Sequence, residues 1–436
     1  MRNKLFTVTA ALLSALILCG IFILGAAALE DDDVIEYEQQ NPAAIGFIND
    51  FTYPSDDYSF SRLEDYMKKV DFKLAKPFGV KINAPQAGTL TLIDGDNQMS
   101  TAVKAGTQTV YNLTPGRIST YKITDAEGKI IASGRLKPTG ALRMIFGKNT
   151  QNIRDLGGWK CDGGTVKYGL LLRGAEVEDK DVALFHDLLG IRAELNLRYD
   201  SEVSWDSSPI GDDVDFKHIN GPWYTIRQDV DGRWAPDAHR QILNYVMDSA
   251  IEGRPLYFHC AAGADRTGTL AFLLESILGV SQSDTDKDYE LTTFRTGISS
   301  DSTARRRDED DWKNYMEMFG AYPGDTMRDK VVGWAVSNGV SIDKINAFRA
   351  AMIDGDPELL SAPEVLLGDI DFDGEVSVLD LTILQRSLAD LYVKFNEPEL
   401  MRGDADGNGV LETVDATYIQ RWLAHMKVYY PIGEAV

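Results

Sequence analysis

Tyr257-Phe258-His259-Cys260-Ala261-Ala262-Gly263-Ala264-Asp265-Arg266-Thr267-Gly268 is the stretch that decides the fold of this chain. An apolar run, residues 255–258, leads into it, and an apolar helical pattern, residues 269–278, leads out. The order is strand, tight loop, helix, with the loop at the helix N-terminus. Such a loop turns several backbone N–H groups into one small space, and the helix dipole adds partial positive charge there. Phosphate fits that space. The same field favours a thiolate over a thiol, which makes Cys260 a candidate nucleophile. Arg266, six residues on, closes the loop with a planar fork able to grip two phosphate oxygens. Thr267 can hydrogen-bond the thiolate. A lone cysteine between apolar residues is ordinarily a small core side chain. Here His, Cys, Gly, Asp, Arg, Thr and Gly stand together at the junction the chemistry needs, and the functional reading outweighs the bland one.

Outward from the loop, residues 141–353 alternate between strand and helix patterns. Residues 182–189 read as helix, 193–197 as strand, 240–251 as helix and 256–258 as strand, with closing helices over 331–352. That alternation predicts an α/β domain with a parallel sheet and helices on both faces. Cys260 then lies at a strand's carboxyl end, where open α/β sheets place ligands.

The loop resembles the phosphate-binding loop of cysteine-dependent tyrosine phosphatases, in particular the bacterial tyrosine/dual-specificity branch with Asp just before the Arg. Asn152-Ile153-Arg154-Asp155-Leu156-Gly157-Gly158 is similar to that branch's N-terminal signature. Leu171-Leu172-Arg173-Gly174-Ala175-Glu176, Leu195-Asn196-Leu197-Arg198 and Asp288-Tyr289-Glu290-Leu291-Thr292 follow in the family's order. The resemblance implies two-step phosphoryl transfer through a phosphocysteine, with no metal needed for catalysis. Cys260 and Arg266 would carry the chemistry, and Ala261, Ala262, Gly263, Ala264, Thr267, Gly268 and Arg154 would bind the substrate. Arg154 and Asp155 would brace the loop, Asp155 equally well as a turn cap. The proton donor is open: Asp265 fits the loop pattern, while Asp231 lies on a loop of the kind that carries the acid in related phosphatases, with Trp234 close behind. Asp229 shares that loop, and any of the three is by default a solvated carboxylate. Two positions depart from relatives. Asn196 stands where Asp is usual, and Ala264 stands where some phosphoinositide-active relatives have Lys. Arg305-Arg306-Arg307 is offset at once by Asp308-Glu309-Asp310 and reads as a solvated patch flanking a helix.

Upstream, residues 72–140 carry short apolar alternations at 79–82, 89–93, 107–111, 119–123 and 129–132. Turn signals such as Asp94-Gly95-Asp96 and Pro115-Gly116 separate them, which predicts a small β-sandwich. Leu113-Thr114-Pro115-Gly116 followed by Tyr121 resembles a fibronectin-type or similar immunoglobulin-like module. Residues 30–71 are polar and acidic and read as a tether with one short helix near 62–70. Residues 1–29 have a basic head, a long uncharged apolar run and Ala26-Ala27-Ala28. They read as a secretory signal, or alternatively as an uncleaved membrane anchor. Leu18 before Cys19, and apolar sequence beyond it, argue against a lipoprotein. That leaves Cys161 and Cys260, expected as free thiols.

Residues 354–367 read as a linker. Beyond it Gly368-Asp369-Ile370-Asp371-Phe372-Asp373-Gly374 recurs as Gly403-Asp404-Ala405-Asp406-Gly407-Asn408-Gly409. Calcium asks for six to eight oxygens. The first loop offers Asp369, Asp371, Asp373, Glu375, Ser377 and Asp380; the second offers Asp404, Asp406, Asn408, Val410, Glu412 and Asp415. Glycine at the sixth place of each allows the sharp turn, and a helical pattern follows each loop, over 381–388 and 416–426. A solvated acidic turn explains one such loop poorly and two in register worse. Residues 368–430 resemble a type I dockerin, an all-α module holding two Ca²⁺ ions. The resemblance implies docking to a cohesin module of a scaffolding protein, with Gln385-Arg386 and Gln420-Arg421 in contact and Val378-Leu379 and Thr413-Val414 tuning partner choice.

At 436 residues with 44% hydrophobic content the chain is globular and multidomain. A net charge of −23 argues against a nucleic-acid surface, and the five histidines are scattered without metal-site spacing. Three readings follow: a secreted phosphatase for phosphotyrosine or phosphoserine proteins in a scaffold-borne, polysaccharide-degrading assembly; an inositol-phosphate phosphatase of the same chemistry; or a non-catalytic scaffold-borne binding protein.

Overall fold

The computed structural model describes residues 34–67, 77–203, 206–227, 235–294, 304–391 and 397–435. The leader expectation for residues 1–29 lies outside them. Among the described residues no helix is long and apolar enough to cross a membrane.

The central sheet runs in the order Asp215–His218, Ala193–Asn196, Leu256–His259, Leu171–Gly174, Arg154–Asp155. The first four strands are parallel and the last is antiparallel to its neighbour. Three of them are buried at every position, as strands covered on both faces must be. Alternation along Leu256–His259 splits the core in two. Leu256 and Phe258 pack with Ile242, Leu243 and Val246 of the Ala235–Ile251 helix and Leu273 and Leu274 of the Asp265–Leu278 helix. Tyr257 instead joins Phe185 and Leu188, and beyond them Leu90, Leu92, Ile123 and Leu136.

This corrects the expectation of helices on both faces. The second face is covered by the short Leu184–Leu188 π-turn, where an ordinary helix was expected, and by the strands of two further sheets. Those strands form a five-stranded sheet, Val34–Glu38, Ile130–Thr139, Ser119–Thr124, Gly88–Asp94, Asn97–Val103, and a two-stranded one, Val80–Ala84 with Gly106–Val110. Residues 77–140 therefore bury their apolar faces in a core shared with the central sheet.

The tether expectation holds only for its short helix, Leu63–Met67, and fails for the rest of the described segment. Val34–Glu38 adds in parallel to Ile130–Thr139. The Pro42–Asn49 helix buries Phe47 completely, against the rings of Phe51, Tyr66 and Phe294. Lys287 donates to the Ile48 carbonyl at 2.6 Å, and Tyr53 donates to Glu290 at 2.7 Å. Apolar residues spaced through an acidic segment are enough to hold it as a strap. The linker is likewise pinned. Ile353–Gly355 pairs with Gly164–Val166, and the Asn346 amide both donates to and accepts from the Leu360 backbone.

In the tail, helices Val378–Leu388 and Thr413–Leu423 pack around Ile370, Leu384 and Ile419. Each begins three residues earlier than the sequence pattern suggests, because Ser377 and Glu412 cap them in reciprocal boxes with Asp380 and Asp415.

Candidate active site

The Leu256–His259 strand ends at Cys260, and the Asp265–Leu278 helix starts five residues later. The turn between them needs Gly263. Its φ is +66°, and a Cβ there would lie 2.3 Å from the Gly174 carbonyl carbon. Cys260 is almost fully buried.

The loop's carbonyls point backward and are bonded there. Asn152 donates to Gly263 at 2.8 Å and to Ala262 at 3.3 Å, and Arg173 donates to Gly263 at 3.2 Å. Asp288 clamps the braces, accepting from Arg154 at 2.8 and 3.1 Å and from Arg173 at 2.5 Å. Burial alone would raise the Asp288 carboxyl, but the Arg154 and Arg173 guanidiniums outweigh it and hold it below its usual range. Arg154 thus lies beneath the loop as a brace. It is buried and spends its fork on Asp288 and Asn152. Asp155 points away from the loop, caps Gly157 at 2.9 Å and pairs with Arg143 at 3.3 Å.

Arg266 is gripped at both terminal nitrogens by Glu202, with the Nη2 bond at 3.1 Å. Its guanidinium sits 4.6 Å from the Tyr199 ring centroid. The Arg266 fork holds the Glu202 carboxyl below its usual range. Arg266 Nε and Thr267 Oγ1 are among the buried polar atoms that have no protein partner. His259, one residue before the thiol, binds Glu194 at 2.9 Å through Nε2, and Ser208 holds the other Glu194 oxygen at 2.5 Å.

Asp265 accepts from Tyr224 at 2.8 Å and from Arg305 at 2.7 and 3.1 Å. The solvated-patch reading of the arginine run is therefore corrected. Arg305 reaches the loop's helix, Arg306 binds Glu64, and Arg307 is fully buried on Asp286 at 2.9 Å. Ala264 is buried beside Asp265. Asn196 uses its side-chain oxygen on the Arg198 backbone at 3.1 Å and on Arg198 Nε at 3.2 Å. Asp229, Asp231 and Trp234 lie outside the described residues. Glu202 escaped the sequence reading, although it stands four residues beyond the Leu195–Arg198 stretch. Its one sequence signal was a carboxylate at the carboxyl end of the strand beside Cys260's.

The duplicated loops repeat one hydrogen-bond pattern. Asp369 accepts from Asp373 N and Gly374 N at 3.1 and 3.0 Å; Asp404 accepts from Asn408 N and Gly409 N at 3.1 and 2.7 Å. Asp380 and Asp415 each fold back onto loop N–H groups. Carboxylate oxygens of Asp369, Asp371 and Asp373 lie within 4.8 Å of one another, as do those of Asp404, Asp406 and Asp415. Burial and like-charged neighbours push Asp369 up to about 6 and Asp371 to about 7. Glu375 and Val410 are exposed in side chain and would offer only backbone carbonyls. Ser377 Oγ accepts from Leu379 N at 3.0 Å.

Residues 147–352 match the model of a family described as the tyrosine phosphatase family. A 54-residue stretch, 12% of this chain, is 44% identical to a Cupriavidus necator protein named "Putative tyrosine-protein phosphatase". That stretch spans 20% of the relative's own length. A solved structure, the core catalytic domain of a PP-IP phosphatase from S. cerevisiae in complex with citrate, aligns with 34% of this chain and 84% of its own. Identity there is 16% and the TM-score 0.25. The family match supports a phosphatase hydrolase in the central region.

Proposed function

We propose that this protein hydrolyses phosphomonoesters through a phosphocysteine at Cys260, and that its tail is a calcium-loaded dockerin which fixes it to a cohesin-bearing scaffold outside the cell. The observation that carries the catalytic part is the pairing of Arg266. Glu202 takes the terminal nitrogens and leaves buried Nε, with Thr267 Oγ1 on the next residue, unpartnered at the start of the helix that follows the Cys260 loop. Buried donors without partners cost stability, and an anion is what satisfies them.

In the first step the Cys260 thiolate forms a bond to phosphorus as the bond to the leaving oxygen breaks. Loop N–H groups and Arg266 hold the equatorial oxygens. A carboxylic acid, Asp231 or Asp265, gives its proton to the leaving oxygen. In the second step water attacks phosphorus, gives a proton to the same carboxylate, and restores the thiolate. Phosphotyrosine and phosphoserine proteins are the favoured substrates. Inositol phosphates are the second reading, with Ala264 in the place of a lysine and Arg305 neutralised by Asp265 counting against it.

In the tail the crowded carboxylates suit a hard dication. Asp371 has a buried side-chain oxygen with no protein partner, and a Ca²⁺ ion would neutralise the repulsion in each loop. Asp369, Asp371, Asp373 and Asp380, with the Glu375 carbonyl and Ser377, would hold one ion. Asp404, Asp406, Asn408 and Asp415, with the Val410 carbonyl and Glu412, would hold the other. Val378, Leu379 and Val414 are exposed on the helices and offer cohesin an apolar contact.

Release of phosphate from p-nitrophenyl phosphate by the wild type and by Cys260→Ser tests the catalytic reading. Turnover should vanish in the variant; equal rates would end the enzyme claim. A parallel comparison of phosphotyrosyl peptide with phytate separates the two substrate readings.

A further inference from the structure

On the reading that Cys260 is a phosphoryl-transfer nucleophile, we infer that Asp265 is a positioning residue, not the proton donor. Together with Arg305 and Tyr224 it fastens the first helical turn behind the phosphate loop. Three observations converge. First, the Asp265 carboxylate already accepts three hydrogen bonds, two of them from Arg305 at 2.7 and 3.1 Å and one from the Tyr224 hydroxyl at 2.8 Å. A guanidinium has no lone pair. A proton placed on Asp265 would face it and would cost the ion pair.

Second, Arg305 is itself anchored. Its N–H donates to the hydroxyl of buried Thr293 at 2.8 Å, and that hydroxyl donates to the Arg305 carbonyl at 3.1 Å. Arg305 therefore presents its fork from a fixed backbone to a fixed carboxylate, 40 residues away in sequence.

Third, Tyr224 holds a left-handed backbone, φ +44°, which a bulky L-residue adopts only when its surroundings compel it. The surroundings are on the same helix. The Tyr224 N–H donates to Thr269 Oγ1 at 3.1 Å, and Thr269 donates to the Asp265 carbonyl at 3.0 Å. The phenol ring packs edge-on against Tyr289 and Trp312. Both the side chain and the backbone of Asp265 are thus tied to neighbouring elements. Arg266, the next residue, inherits that placement.

The test is the dependence of kcat/KM on leaving-group acidity across a series of aryl phosphates. Losing a general acid hurts poor leaving groups most. Losing a positioning residue hurts all leaving groups alike. Asp265→Asn, Arg305→Gln and Tyr224→Phe should each lower kcat/KM by a uniform factor of about ten to a hundred across the series. The Asp265→Asn/Arg305→Gln double variant should be no worse than the weaker single. A loss for Asp265→Asn that grows as the phenol becomes a poorer leaving group would overturn the inference. So would additive losses in the double variant, or no loss in any variant. Should Asp265→Asn fail to fold, Arg305→Gln and Tyr224→Phe carry the same prediction with the carboxyl in place. Full turnover by Cys260→Ser would instead bring down the catalytic reading itself, whatever the slopes.

Discussion

Glu290 sits where the N-terminal strap meets the helix that braces the phosphate loop. Its carboxyl is fully buried and accepts from Tyr53 OH at 2.7 Å, Ser61 Oγ at 2.5 Å and Arg307 N at 2.9 Å. Burial pushes it up to about 7 from an ordinary 4.5, and those hydrogen bonds recover only part of the shift. A carboxyl raised in the folded state binds more protons folded than unfolded. Its contribution to stability is whole below about 4.5 and is lost as pH rises through about 7. Between pH 6 and 8 the wild type should lose roughly 1 kcal/mol more than Glu290→Gln. Denaturant titrations of both proteins in calcium buffer measure this difference, and parallel curves would refute it. At this scale the sequence was legible where chemistry is local. Cys260, Gly263, Arg266 and Thr267 fall within eight residues and announce themselves. Glu202 and Arg305 do not, because their partners lie 64 and 40 residues away and only the fold pairs them.

A strand or helix was readable wherever its period was undisturbed. The Leu256–His259 strand, the Ala235–Ile251 helix and the helices after the duplicated loops all follow from spacing. Val34–Glu38 was hidden by its glutamates, which face outward from an edge position. Asn97–Val103 was hidden by polar residues on a half-exposed strand. The cover of the second sheet face could not be read at all, since periodicity tells that a face is buried and not what buries it. The paired loops make the sharpest claim for an element. Asp369 is fully buried and Asp371 partly so, beside Asp373 and Asp380, and like charges so placed repel. Without a cation the caps at Ser377 and Glu412 would have to hold the helices against that repulsion, each worth only ~1 kcal/mol. Removing calcium with EDTA should therefore cost far-UV helical signal equivalent to the two eleven-residue helices Val378–Leu388 and Thr413–Leu423. Unchanged dichroism would mean that the acidic turns are merely solvated.

Across the whole molecule, the strap, the bracing helix and the loop form one mechanical path. Phe47, Tyr53 and Ile48 hold one side of the Gln282–Leu291 helix and the turn after it through Phe294, Glu290 and Lys287. The other side of that helix carries Asp288, which fixes Arg154 and Arg173, and Arg173 in turn holds the Gly263 carbonyl. A defect in the strap should therefore reach the site 213 residues from Phe47 (260 − 47) before the whole chain unfolds. Phe47→Ala empties a fully buried site and should cost about 3–5 kcal/mol, most of it cavity and lost transfer energy. Because the cavity opens against one face of the bracing helix, the loss should fall first on the local order of that helix. Amide exchange at residues 282–291 should accelerate at denaturant concentrations too low to shift the tail helices, and kcat on p-nitrophenyl phosphate should fall over the same range. If exchange at 282–291 and at 413–423 instead accelerates together, the strap stabilises the protein as a single body. The path from Phe47 to Gly263 would then have no mechanical identity of its own.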